Sequence, residues 1–165
     1  NSIPRRACVM WRTGHVLFLA ALLAVNASCQ RLEECDFYRA IEERVPCGKE
    51  GYALSYALPI CRRFVENNDM FDAPGRKWLP CIRNCLIDYA RINILEESRL
   101  TNCSSIMTGL FQSHVPCYTH CGFCDIILPN TLAFMRSFRM SDFFSWLAVE
   151  QVLHIMQECM PTYFH

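Results

Sequence analysis

The chain lacks the features by which several large classes of protein are recognised. It has no apolar run of the about 20 residues that a membrane-spanning helix needs. Only 6 residues are glycine, and none belongs to a phosphate-binding loop. Between Cys47 and Leu86 no nucleophile stands beside a base. Across the chain 16 Lys and Arg are balanced by 16 Asp and Glu, so no basic surface for nucleic acid is expected. We therefore expect no enzyme activity, no cofactor and no nucleic-acid partner.

Residues 10–27 have the pattern of a secretory signal peptide. Arg12 and His15 form a short polar start, the segment Val16–Ala24 is apolar, and small residues up to Ala27 suit a cleavage site. The apolar segment is too short to span a bilayer. The pattern predicts a secreted, extracellular protein.

The expected cleavage divides the chain into three parts. Residues 1–9 are interpreted as translated upstream sequence, the alternative being a true N-terminal extension. Removing residues 1–27 takes away three basic side chains and no acidic one, which leaves a net charge of −3. The remainder, residues 28–165, has the length of a single domain.

Cysteine is abundant, with 12 residues. In a secreted chain of this size such a density predicts disulfides. If cleavage follows Ala27, Cys29 is an odd cysteine and would link two copies in a disulfide-linked homodimer; cleavage after Cys29 would remove it. The ten cysteines expected to form five bridges are Cys35, Cys47, Cys61, Cys81, Cys85, Cys103, Cys117, Cys121, Cys124 and Cys159.

Apolar residues recur at helical spacing along the rest of the chain, and no segment has a convincing strand pattern. We expect an all-α, disulfide-stapled bundle of about five helices. Met107 and Val152 are both assigned to inward faces. The five longer helices are expected at Glu33–Val45, at two places within Cys47–Leu86, at Leu95–Phe111 and from a Ser141 cap to Cys159, with a short additional helix at Thr131–Phe138.

The two helices within Cys47–Leu86 are the most clearly marked. Pro59 should kink the first or start a new one, and Asp72 suits the N-cap of the second. Trp78 begins a buried stripe on the second helix. In each of the pairs Cys81/Cys85 and Cys117/Cys121, three residues separate the cysteines. This spacing would allow two disulfides, one above the other like rungs, between antiparallel helices. This is one pairing among many, because spacing alone does not determine connectivity.

Three groups of residues have both a functional and a structural interpretation. The cysteine-dense segment His114–Cys124 has spacings that zinc could use, but we interpret it as a compact turn held by disulfides. Glu66, Asp69 and Asp72 could hold calcium, but the loop lacks the glycine and the closing glutamate of an EF-hand, so we interpret them as carboxylates favoured near a helix N-terminus. Asn102 lies in an Asn-Cys-Ser sequence and is a possible glycosylation site.

A spaced pattern of cysteine, aromatic and glycine residues resembles the stanniocalcin family. In the central segment it is formed by Cys61, Phe64, Phe71, Gly75, Arg76, Cys81 and Cys85. The family's next cysteine helix is matched by Cys103, Phe111, Gln112 and Cys117. The similarity extends roughly over residues 47–124.

This resemblance implies a glycosylated, helical, homodimeric hormone associated with calcium and phosphate handling through a cell-surface receptor, and no enzyme activity. A function of another class also agrees with the residues. A cysteine-rich secreted effector, such as a venom or defence polypeptide, would act on a channel or a membrane. The tissue of expression would separate the two, since an effector of that kind is expected in a venom gland.

Overall fold

The computed structural model describes residues 30–143 and 146–163, and these residues form an all-α structure without a strand. The predicted fold class is therefore confirmed, but the described helices outnumber the five expected. Residues 1–27 and Cys29, with the predictions made for them, lie outside the described residues. The α-helices are α1 (Phe37–Arg44), α2 (Leu58–Glu66), α3 (Ala73–Ala90), α4 (Cys103–Gln112), α5 (His114–His120), α6 (Phe123–Ile126), α7 (Thr131–Ser137) and α8 (Trp146–Tyr163).

Two predicted features of the central helix pair are confirmed. Pro59 lies in the first turn of α2, directly after a short π-helix at Ala53–Ala57. Asp72 caps α3, since its carboxylate accepts a hydrogen bond from the amide of Gly75 at 2.7 Å. Asn130 completes this cap: its amide oxygen accepts from the Asp72 backbone amide at 2.8 Å, and its amide nitrogen donates to the Asp72 carboxylate at 2.9 Å.

The continuous helix expected at Leu95–Phe111 is wrong. The chain leaves α3 through a π-helix at Arg91–Glu96, and α4 begins only at Cys103. Asn102 starts α4 because its side chain accepts from the amide of Ser105 at 3.0 Å, while the Ser105 hydroxyl accepts from the amide of Asn102 at 3.2 Å. This reciprocal capping box fixes a helix start at a position where we expected a helix interior.

The compact turn expected at His114–Cys124 is also wrong, because most of it is helical. It forms α5, a reversal at Gly122 and α6. Gly122 has a φ of +78°, a conformation that glycine adopts without strain. The Ser141 cap is wrong as well: Ser141 belongs to a 3₁₀ turn at Met140–Phe143, ahead of α8.

Two adjoining clusters of buried side chains form the core. The first lies around α1, the π-helices and α4, and the second around α2, α3, α5, α6 and α7. Trp78 is 2% exposed at the centre of the second cluster, which confirms the predicted stripe. Met107 and Val152 were expected inside but are 38% and 41% exposed. Each lies at the margin of an apolar face, where periodicity does not decide burial.

The ten cysteines among the described residues form five disulfides, as predicted. Cys81–Cys121 and Cys85–Cys117 make two rungs between antiparallel α3 and α5, the arrangement that the repeated gap allows. The other three bridges are Cys35–Cys61, Cys47–Cys103 and Cys124–Cys159. Such a density of disulfides is typical of proteins that mature in an oxidising compartment.

Within residues 30–143 and 146–163, no helix has the length and apolarity needed to cross a membrane.

Candidate functional site: the last helix and the cavity beneath it

Helix α8 has one apolar side that the core covers and another that solvent reaches. Ala148, Ile155 and Cys159 face the core. A second arc of the helix carries large apolar side chains that remain exposed, including Trp146 at 73% and Leu153 at 52%. We call this arc the outer apolar face; it consists of Trp146, Val152, Leu153, Met156 and Met160.

The outer apolar face is held in a fixed place. The Cys124–Cys159 disulfide fastens the second half of α8 to α6, and α8 packs against α4, α5 and α6. From Trp146 to Met160 the face extends about 21 Å at 1.5 Å per residue. A contiguous exposed apolar surface on a rigid element is typical of an interaction site rather than of an ordinary solvent-facing helix.

The polar side of α8 carries negative charge. Helix α8 contains Glu150 and Glu158, a single histidine, His154, and neither lysine nor arginine. His154, with Gln157 and Glu158, forms the exposed polar side of the helix. A surface that pairs with this helix would therefore match it best if it were apolar at its centre and basic at its edge.

A cavity of about 170 Å³ lies beneath α8. Its walls come mainly from α4 to α8 and are largely aromatic and aliphatic, and the lining residues with polar groups are His114, Gln151, Tyr56 and Tyr118. Val152 and Met156 line the cavity and are also 41% and 43% exposed, so it opens beside the outer apolar face. An apolar pocket with few polar groups is the usual form of a small-molecule site.

His114 is buried among aromatic rings. Its Nδ1 lies 3.0 Å from the carbonyl oxygen of Phe111, and a carbonyl can only accept, so Nδ1 carries the proton. Burial lowers the pKa of His114 to about 4, against the smaller opposing effect of the Phe111 and Leu110 carbonyls. The ring is neutral at pH 7, which leaves Nε2 as a hydrogen-bond acceptor. The rings of Tyr56 and Tyr118 lie 6.3 and 5.8 Å away.

Gln151 is the second polar group of the cavity wall. The residue is only 6% exposed, and its Oε1 is buried without a hydrogen-bond partner among the described residues. A buried amide oxygen left unpaired costs about 1–3 kcal/mol. If the amide turns toward the cavity, a hydroxyl or N–H group there removes that cost.

Most of the residues singled out from the sequence have structural roles. Cys117, Cys121 and Cys124 are in disulfides rather than around zinc, and no cluster of potential metal ligands occurs within residues 30–143 and 146–163. Asp72 serves as a helix cap. Asn102 caps α4 through its oxygen and is exposed, so its glycosylation stays a prediction.

The outer apolar face and the cavity were not identified from the sequence. One signal was present, since Trp146, Leu153 and Met160 repeat every seven residues along α8 in addition to the inward stripe. His114 and Gln151 come from different helices, and nothing in their local sequence brings them to one cavity.

Comparison with protein-family models, with curated proteins and with solved structures found no match for this chain.

Proposed function

We propose that this chain is a secreted signalling protein that binds a cell-surface receptor and has no enzyme activity of its own. The signal-peptide pattern and the disulfides support secretion, and the resemblance to the stanniocalcins supports a hormone-like role, with calcium and phosphate handling as the process it implies. The outer apolar face of α8 is the observation that carries the proposal, because it supplies a surface for the receptor.

The receptor surface that fits α8 is an apolar groove with basic residues along one edge. A helix that binds a groove offers anchors about one turn apart, and Leu153, Met156 and Met160 have that spacing. Glu150, three residues before Leu153, would lie beside the apolar anchors and meet the basic edge. Trp146, which is the most exposed large apolar side chain of the helix, would fill a pocket at one end.

A protein receptor fits this face better than a membrane does. Helices that lie in the membrane interface usually carry Lys and Arg on their polar side, which attract anionic lipids. Helix α8 has none and carries two glutamates instead. Direct action on a lipid membrane, as in the effector hypothesis, therefore has less support.

The experiment measures saturable binding of the labelled, disulfide-intact protein to cells, before and after protease treatment of the cell surface. We expect protease-sensitive binding that falls at least about tenfold, or 1.4 kcal/mol, in the double variant Leu153→Glu, Met160→Glu. The matched control is His154→Glu, Gln157→Glu, which adds the same two acidic residues to the same helix on its polar side.

Three results would contradict the proposal. One is an equal loss of binding in the control. Another is unchanged binding in the Leu153/Met160 variant together with a loss in Leu132→Glu, which changes an exposed apolar side chain of α7. The third is binding that survives protease treatment and is reproduced by phosphatidylcholine–phosphatidylserine vesicles, which would favour the membrane effector.

A further inference from the structure

We propose that the cavity beneath α8 binds a small uncharged molecule that consists of one aromatic ring with one hydroxyl group. This site adjoins the receptor surface, with which it shares Val152 and Met156, but the inference does not rest on the proposed function. It rests on the volume and lining of the cavity and on the polar groups of His114 and Gln151.

The volume sets the size of the ligand. The cavity has about 170 Å³, and an apolar cavity of about 150 Å³ in another protein accommodates benzene. A single ring with one small substituent therefore fits, whereas a second fused ring would require the walls to move. The aromatic side chains Phe111, Phe134 and Phe138 line the space, and rings pack well against rings in tilted or edge-on arrangements.

The polar groups set the chemistry. His114 is neutral, its Nδ1 proton is used by the Phe111 carbonyl, and Nε2 is left to accept. Gln151 adds a buried Oε1 that has no partner among the described residues. A hydroxyl group can donate its proton to His114 Nε2 or to Gln151 Oε1, and its oxygen can accept from the side-chain N–H of Gln151. A ligand with one hydroxyl group therefore suits these two side chains.

A charged ligand does not suit the cavity. Burying an ammonium or a carboxylate in an apolar site needs a partner of opposite charge. The lining contains no Asp, Glu, Lys or Arg, and the histidine stays neutral at pH 7. An alkyl or aryl ring without a polar group would fill the volume but leave Gln151 unpaired.

Entry of the ligand requires little rearrangement. Val152 and Met156 form part of the lining and are also exposed, so these two side chains cover the opening. Methionine is unbranched and flexible, and it can move aside without disturbing the helix. The ligand would therefore enter from the side of the outer apolar face.

The test compares 4-fluorophenol with fluorobenzene by ¹⁹F NMR titration of the full, disulfide-intact chain at pH 7. We expect saturable binding of 4-fluorophenol, at least about tenfold tighter than fluorobenzene. Gln151→Leu should bring the two affinities within about threefold of each other, whereas the control Gln157→Leu, on the exposed side of α8, should leave the preference unchanged. Ala148→Leu should fill the cavity and abolish binding of both probes.

If a cavity variant does not fold, measurements on the wild-type protein alone still show whether 4-fluorophenol binds in the cavity. Ring protons of bound 4-fluorophenol should show nuclear Overhauser contacts to methyl groups of Val152, Ile155 and Met156. No saturable binding, contacts only to other residues, or a phenol preference that survives Gln151→Leu would each overturn the proposal. Leu153→Glu, Met160→Glu should keep the fluorophenol binding, so failure at the receptor surface is distinguishable from failure here.

Discussion

The guanidinium of Arg63 forms an ion pair with the carboxylate of Asp142 inside the protein, where their side chains are only 10% and 7% exposed. Arg63 Nε also donates to the carbonyl oxygen of Ser137 at 2.6 Å. The backbone amide of Arg139 donates to the Asp142 carboxylate at 2.7 Å. The pair therefore ties α2 to the segment that leads from α7 into α8, the helix that carries the candidate site.

Breaking this buried pair should be costly. Asp142→Ala leaves the Arg63 charge in the interior without its partner, and we expect a loss of about 3–5 kcal/mol in the free energy of unfolding. The matched control is Asp88→Ala, which breaks an exposed pair with Arg91 and should cost less than about 1 kcal/mol. Urea unfolding with the disulfides intact measures both. Equal costs would show that the Arg63–Asp142 pair is not buried in solution.

The disulfides should contribute unequally. Replacing Cys47 and Cys103 by alanine opens a loop of 56 residues and should cost about 4 kcal/mol by chain entropy. Replacing Cys81 and Cys121 leaves the neighbouring Cys85–Cys117 rung closed, so only a small ring is released and the expected cost is about 2.5 kcal/mol. Thermal or urea unfolding of the two double variants measures the difference. Peptide mapping of the non-reduced wild-type protein must first recover the disulfides Cys47–Cys103, Cys81–Cys121 and Cys85–Cys117. Different disulfides would contradict the expected order of the two stability losses.

Stability should fall as the pH is lowered from about 6.5 to about 4. In the unfolded chain His114 has an ordinary pKa near 6.5, whereas burial lowers its pKa to about 4 in the folded protein. The unfolded state therefore binds the proton first, and up to about 3 kcal/mol of stability is lost across this interval. His114→Phe should flatten the profile, while His154→Phe, at an exposed position, should leave it unchanged. A flat wild-type profile would contradict the burial of His114.

A second acid effect should appear at lower pH. Hydrogen bonds from Gly75 and Asn130 lower the pKa of Asp72, so its stabilising contribution is present above the unfolded pKa near 3.8 and disappears as the pH falls below it. Asp72→Asn should remove this part of the pH dependence without changing the interval assigned to His114. Unfolding curves collected between pH 2 and pH 7 separate the two intervals.

Two tryptophans offer a direct comparison of core and surface. Trp78 is 2% exposed, and its ring lies 5.2 Å from that of Tyr118 and 5.4 Å from that of Phe134. Trp78→Ala should cost about 3–5 kcal/mol of stability. Trp146→Ala, at 73% exposure, should change stability by less than about 0.5 kcal/mol and instead weaken receptor binding. A loss below about 1 kcal/mol for Trp78→Ala in urea unfolding would contradict its place in the core.

Local chemistry accounts for the parts of the fold that could be predicted. Asp72 caps α3 with its own side chain, Pro59 starts a helix through its own ring, and the stripe of Trp78 repeats within one helix. Each is a property of residues close together in the chain. The errors at Asn102 and in the segment 114–124 arose where one residue has two local uses. Asn102 fits a glycan acceptor as well as a helix cap, and a cysteine-rich composition fits a helix as well as a turn.

Two features follow from local sequence patterns: the protein is helical, and Trp78 is buried. Three others follow only from the packing of the helices, namely the pairing of the cysteines, the exposure of Met107 and Val152, and the position of His114 and Gln151 at one cavity. Helical periodicity shows that a helix has an apolar side, but a neighbouring helix decides whether that side is covered. The pairing of cysteines and the formation of cavities depend on the packing of segments far apart in the chain, and no local sequence pattern predicts that packing.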